Sequence, residues 1–251
     1  MITKTQLIAF IVALGLIVGF VLLGLRHTTP KADIAQQQAE WPSREIEKVD
    51  VSDKGAFGTI TAVYPKTASD SITKYFDAFV QDQIAQFKND VSWVEDQQDS
   101  AQAEALSLDI AYTMYQGTSV QTYVFTVASY TGGAHGMQVR KTFAFNKEGQ
   151  LLTISNVFKN GFDGLPVFAK VVQKALLKRE GVQADWLTEG ASPIEENYNA
   201  FIVQDDGVTV LFDPYEVAPY VFGPIDVFIP ASDFGSIANP ALFALTAKPT
   251  R

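Results

Sequence analysis

The chain has two imidazoles, His27 and His135, and no cysteine. Thiolate metal sites, iron–sulfur clusters, disulfides and a cysteine nucleophile are thereby excluded, and a metal centre would need carboxylates for nearly all its ligands. A Ser-His-Asp hydrolase would have to use one of the two histidines. His135 stands in Tyr130-Thr131-Gly132-Gly133-Ala134-His135-Gly136, where glycines allow positive φ and close backbone approach. Such a loop could present the ring to a ligand or hold an anion on its N–H groups. A general base also needs an oriented nucleophile and an oxyanion donor set. Neither a G-x-S-x-G elbow nor a carboxylate-rich metal motif accompanies His135. The expectation is therefore no catalytic residue, no metal and no cofactor, with His135 bracing its turn or contacting a ligand. Catalysis by His135 is the alternative.

A second string, Phe212-Asp213-Pro214-Tyr215-Glu216-Val217-Ala218-Pro219-Tyr220-Val221-Phe222-Gly223-Pro224, mixes prolines with four aromatics. Prolines and rings make a stiff extended loop that loses little entropy on binding and offers a large contact area. Tyr215, Tyr220 and Phe222 beside Asp213 and Glu216 could form a recognition patch, or the rings could fold back over a sheet. The candidate ligand contacts are Tyr130, Gly132, Gly133, His135, Asp213, Tyr215, Glu216, Tyr220 and Phe222. Glu195-Glu196 and Asp205-Asp206 are poor acid–base pairs, because neighbours on a strand point in opposite directions.

The elements that must position these loops follow from periodicity. Val49 to Tyr64 is rich in β-branched and aromatic residues with a Lys54-Gly55 turn, which predicts a strand pair ended by Pro65. Ile72, Phe76, Phe79, Val80, Ile84 and Phe87 recur at threes and fours after Asp70, which predicts an amphipathic helix with Asp70 as N-cap. A polar loop at Asp96 to Glu104 leads to three strands, Ala105 to Tyr115, Thr118 to Tyr130 and Gln138 to Asn146, which suggest an antiparallel meander. A second helix is expected from about Asp163 to Arg179, with Lys170, Lys174 and Lys178 along one face, either a binding stripe or an ordinary solvated face. Phe201 to Val203, Val208 to Phe212 and Ile225 to Ile229 read as short strands, and the Ala-rich tail after Phe234 as partly disordered. The class expected is α+β, a mostly antiparallel twisted sheet with two principal helices packed on one face.

Leu7 to Leu25 is a 19-residue run without a charge, long enough as a helix to span a bilayer. A cleaved signal peptide is the competing reading, but the run ends in Leu25-Arg26-His27 without a small-residue cleavage site. Flanking charges nearly balance, so the positive-inside rule does not fix the orientation. All acids follow Lys31, which gives residues 32–251 a charge of −12, from 28 acids and 16 bases. Residues 180–247 hold eleven acids and no Lys or Arg, whereas residues 140–179 hold eight bases and two acids. Nucleic acid is thus not an expected partner, and a cationic protein or peptide suits the acidic face.

The Val63-Tyr64-Pro65 strand end and following helix, the YTGGAHG loop, Gly149-Gln150-Leu151-Leu152 leading to Asn156-Val157-Phe158, and FDPYEVAPYVFGP followed by Val227-Phe228-Ile229-Pro230 together resemble a known family. It is the RsiV-like and PdaC N-terminal-like extracytoplasmic domain family, found in lysozyme-sensing anti-sigma factors and ahead of the catalytic domain of peptidoglycan deacetylases. The resemblance covers residues 45–235 or so. It implies a non-catalytic, receptor-like α+β domain outside the membrane, with the six-residue N-terminus cytoplasmic and lysozyme or a peptidoglycan fragment as partner. Met1 to Gln6 is too short to bind a sigma factor, so none is expected. The division expected is a cytoplasmic end at 1–6, a transmembrane helix at 7–25, a stalk at 26–48, a PdaC-like subdomain at 49–110, an RsiV-like subdomain at 111–235 and a tail at 236–251. A cell-wall enzyme and a structural accessory protein of the envelope are the alternatives.

Overall fold

The computed structural model describes residues 41–94 and 105–243. The Leu7 to Leu25 run, the Asp96 to Glu104 loop and the end of the tail lie outside them; among the described residues no helix is long and apolar enough to cross a membrane. The fold is α+β and mostly antiparallel. It contains a six-stranded sheet in sequence order: β1 (Glu45–Gly55), β2 (Gly58–Thr67), β3 (Ser107–Gln116), β4 (Val120–Tyr130), β5 (Met137–Asn146) and β6 (Leu151–Leu152). Only β2 and β3 run parallel, over Thr59 to Ala62, because helix α1 (Asp70–Asp90) and the segment after it cross over between them. The β3, β4 and β5 meander keeps one register throughout, from Ser107↔Tyr130 to Gln116↔Gln121 and from Val120↔Asn146 to Ser129↔Met137.

Helix α1 buries Ile72, Phe76, Val80 and Phe87 on this sheet, as its period requires. The Phe76 ring meets Tyr123, Phe125, Phe143 and Phe145 at centroid distances of 5.0–6.0 Å. Asp70 is the first helical residue and Ser69 the N-cap, so the acid faces the helix dipole and does not cap the chain. Pro65 does not end its strand. Beyond Ala62, β2 has no partner on the β3 side, and a proline at such an edge removes no ladder hydrogen bond there.

The expected single sheet is two. A second, three-stranded antiparallel sheet holds β7 (Phe201–Gln204), β8 (Gly207–Phe212) and β9 (Ile225–Pro230). It lies against the back of β4 and β5, where Val124 packs with Ile202 and Leu211. Helix α2 (Leu165–Leu176) covers its other side through Leu165, Phe168, Val172 and Leu176. The two long helices therefore sit on different sheets, not on one face of one. The cause is that both β4 and the second sheet are apolar on both sides, so each has two faces to bury.

Two short helices complete the fold, α3 (Ala184–Gly190) and α4 (Ala231–Phe234). Residues after Phe234 join the core. Ile237, Leu242 and Phe243 are buried, Phe158 bridges Ala238, and the Asn239 N–H donates to the Val157 carbonyl at 2.9 Å. The apolar spacing there was too short to register as an element. At the other end Trp41 and Ser43 are buried, and β1 begins at Glu45, within the stretch expected to be a stalk.

Candidate functional site

The β4–β5 hairpin opens after the Ser129↔Met137 pair, which leaves Tyr130 to Gly136 as its loop. Gly132 takes φ +94°, and a Cβ there would stand 3.1 Å from the Trp93 ring, so both the dihedral and the neighbour call for glycine. Gly133 faces open space. The 212–224 string leaves β8, turns at Asp213-Pro214-Tyr215-Glu216, and comes back through a 3₁₀ turn at Tyr220–Phe222. The turn closes with the Glu216 N–H donating to the Asp213 carbonyl at 3.1 Å. Its second central residue, Tyr215, has φ +75°, a left-handed conformation that glycine usually fills.

The two strings meet. The His135 ring stacks on Tyr220 with centroids 4.2 Å apart and planes 23° from parallel, and Tyr215 follows 5.4 Å beyond Tyr220. The Gly136 carbonyl accepts the Tyr220 hydroxyl at 3.2 Å and lies 3.0 Å from His135 Nδ1. With the proton placed on Nδ1 to make that bond, Nε2 is the free acceptor. Beside Tyr220, the middle ring of the row, lies an open groove of about 650 Å³ bordered also by Asp109, Ser129, Tyr130, Gln138 and Val221; His135 and Tyr215 do not line it. Phe222 turns away from it, its ring lying over Gly181.

Arg140, on β5, holds the arrangement. Its backbone N–H and Nε donate to the two oxygens of Asp213 at 2.7 and 2.8 Å, Nη1 donates to Asp226 at 2.5 Å, and Nη2 to the Phe212 carbonyl at 2.9 Å. Burial pulls the guanidinium's pKa down, but the Asp213 and Asp226 hydrogen bonds more than reverse this and leave it above its ordinary value. Asp213 is consumed by this clamp. Glu216 faces solvent along its stem while its carboxylate accepts the Asp213 N–H at 2.7 Å. Desolvation pushes that carboxyl up, the Asp213 charge adds to the rise, and the Asp213 N–H and Arg140 oppose it. Both acids thus serve the turn.

Chemically the site offers rings, one free imidazole nitrogen, and along the groove hydroxyl and amide groups with the Asp109 carboxylate. Among the described residues no group of three His, Cys, Asp or Glu could hold a metal ion. Asp205 accepts the Thr118 N–H and hydroxyl at 2.6 and 2.7 Å and so ties the β7–β8 turn to the β3–β4 turn. Glu195 is held below the usual carboxylate range by hydrogen bonds from Ser155 and Thr153. Arg140 was not among the sequence candidates. It is the first Lys or Arg after Lys88, which in hindsight marks it as a counter-charge within an acidic stretch.

Residues 155–232 match the family model described as "Protein of unknown function (DUF3298)". The chain is 28% identical over 226 residues to the peptidoglycan-N-acetylmuramic acid deacetylase PdaC of Bacillus subtilis, covering 88% of this chain and 48% of that one. It is 31% identical over 136 residues to the immunogenic protein MPT64 of Mycobacterium tuberculosis, covering 52% of this chain and 59% of that one. The chain thus spans about half the length of the curated relatives it matches. A crystal structure of a DUF3298 family member from Bacteroides fragilis superposes with a TM-score of 0.51 at 16% identity, over 77% of this chain and 92% of that one, a likeness of fold. The matched stretch contains α2, the second sheet and the aromatic loop, and the match to PdaC extends over most of the remainder. Residues 155–232 thus carry the DUF3298 match, and most of the chain is similar in sequence to PdaC.

Proposed function

We propose that the protein is a non-catalytic binding domain of the bacterial cell envelope, held by Leu7 to Leu25 with its C-terminal part outside the membrane, and that it binds a peptidoglycan fragment. The observation that carries this reading is the His135–Tyr220–Tyr215 row, whose middle ring borders a groove edged by Ser129, Gln138 and Asp109. Stacked rings present flat apolar faces to a sugar ring, and the groove's hydroxyl and amide groups with the single carboxylate of Asp109 suit a ligand rich in hydroxyls and amides better than a highly anionic one. The name of the PdaC relative points to the same polymer. A lysozyme-type protein is the second reading, supported by the −12 charge of residues 32–251, which would steer a cationic partner.

The test titrates the full chain in nanodiscs with soluble peptidoglycan fragments, and separately with a cationic lysozyme and an equally cationic unrelated protein, at low and high salt. Saturable fragment binding that tolerates salt and falls roughly tenfold to a hundredfold in Tyr220→Ala is the expected result. Lysozyme-selective binding that survives salt would replace it with the second reading. Fragment turnover that is lost in His135→Ala would replace binding by catalysis.

A further inference from the structure

We propose that the outward face of α2 docks on an anionic lipid surface. At 100° per residue, Val167, Lys170 and Lys174 of α2, continued by Leu177 and Lys178 in the turn that follows it, fall within an arc of roughly 100°, opposite the buried Leu165, Phe168, Val172 and Leu176. The three lysines are exposed, and between them Val167 and Leu177 keep 44% and 52% of their surface in contact with solvent. Phe162, just before the helix, is 49% exposed.

Two features set this face apart from an ordinary solvated one. Lysines four apart repel each other, and residues 32–251 carry twelve more acids than bases, so counter-charges are abundant. Yet these three, like most Lys and Arg side chains among the described residues, form no ion pair, the pairs there using Lys66, Lys88 and Arg140; what is particular to this face is that three of them stand in one row. The nearby acids are not on the helix: Asp163 and Glu180 flank its ends, Asp185 and Glu189 belong to α3, Asp233 to α4, and Asp226 of β9 is engaged by Arg140. The second feature is the pairing of large aliphatic side chains with lysines on one strip. A soluble polyanion would use the lysines and leave Val167 and Leu177 in water. A lipid surface uses both, headgroup charge against the ammonium groups and the acyl boundary against the aliphatics.

This inference is independent of the groove and of its ligand. The chain has no cysteine, so Leu177→Cys can carry a single environment-sensitive fluorophore. The labelled full chain is placed with nanodiscs of phosphatidylcholine alone, with discs enriched in phosphatidylglycerol, and with anionic discs containing brominated acyl chains. The expected result is a blue shift confined to the anionic discs, quenched by bromine and reversed by salt. In Lys170→Gln/Lys174→Gln/Lys178→Gln, whose exposed positions leave the fold intact by circular dichroism, the docked-to-free ratio falls about a hundredfold. A label that stays in water on anionic discs, or that shifts equally on neutral ones, overturns the proposal. So does an equal shift produced by soluble polyphosphate with neutral discs, which would make the ligand a phosphate polymer.

Discussion

Replacing Arg140 by methionine is the sharpest test of how the site is held. The Arg140 side chain is 10% exposed and that of Asp213 12%, so the substitution leaves a nearly buried carboxylate that retains the Glu216 contact of its own N–H but loses its counter-charge. Breaking a buried pair by removing one partner costs about 3–5 kcal/mol. Asp213 begins a surface turn and can swing toward water, which puts the expectation at the lower end, about 3 kcal/mol. Asp226 is 51% exposed, and its pair with Arg140 contributes under about 1 kcal/mol. Arg140→Met should therefore cost about three times as much as Asp226→Asn. The double change Arg140→Met/Asp213→Asn should recover about 2 kcal/mol relative to the sum of the singles. Arg140→Lys keeps the charge and the backbone N–H bond to Asp213 but cannot reach Asp213, Asp226 and the Phe212 carbonyl at once, and should fall midway. Urea unfolding followed by circular dichroism, with an unchanged slope, measures each value. A cost below about 1 kcal/mol for Arg140→Met, or equal costs for Asp213→Asn and Asp226→Asn, would refute the clamp.

Three further outcomes are expected. Tyr215→Gly relieves the φ of +75° and should raise stability by about 1 kcal/mol in thermal or urea unfolding while weakening fragment binding; Tyr215→Ala should weaken binding without that gain. Gly190→Ala, at the end of α3, would bring a Cβ to within 1.7 Å of the Glu216 carbonyl oxygen, and should cost about 2–3 kcal/mol and displace the aromatic turn, read as loss of binding at temperatures where the fold persists. Burial raises the phenols of Tyr64, Tyr123 and Tyr198, that of Tyr64 to about 12, so the unfolded chain releases these protons first as pH rises past 10. Their stabilisation is complete below pH 10 and should fall by about 1.4 kcal/mol per phenol per pH unit above it, seen as a lower urea midpoint at pH 11 than at pH 9.

Helix α1 and β3 were legible because their burial is one-sided or alternating: Ile72, Phe76 and Val80 repeat as a helix must, and Leu108 and Ile110 alternate along β3, while β4 and β5 showed as β-branched and aromatic runs bounded by turn residues. The division into two sheets was not. A strand buried on both faces, such as β4, has no polar side to say what covers it, and the partner of Val124 lies in β7 and β8, some eighty residues on. The parallel β2–β3 pair was hidden for a related reason, since β-branched composition marks a strand without giving its direction. The segment after Phe234 looked loose because its anchors are single residues, Ile237, Leu242 and Phe243, each filling a gap left by distant elements.

Both strings of the site stood out in the sequence because glycine and proline interrupt the strand pattern, but nothing local says that His135 should stack on Tyr220. Their contact is fixed by Arg140, whose partners Asp213 and Asp226 are 73 and 86 residues away. The charge blocks carry a trace of this. A basic block at residues 140–179 and an acidic one at 180–247 can be read as two surfaces for two external partners, or as partners for each other. The structure divides the difference. Arg140 takes up Asp213 and Asp226 internally, so part of the acid surplus beside the groove is neutralised, and Arg179 donates to the Asp226 backbone carbonyl at 2.7 Å. Lys170, Lys174 and Lys178 form none of the ion pairs among the described residues. Long-range attraction of a cationic ligand must then come from acids away from the ring row, while contact at the rings is close to neutral. Salt should accordingly change the on-rate of a cationic partner far more than the affinity of a neutral fragment, which is what separates the two ligand readings in one titration.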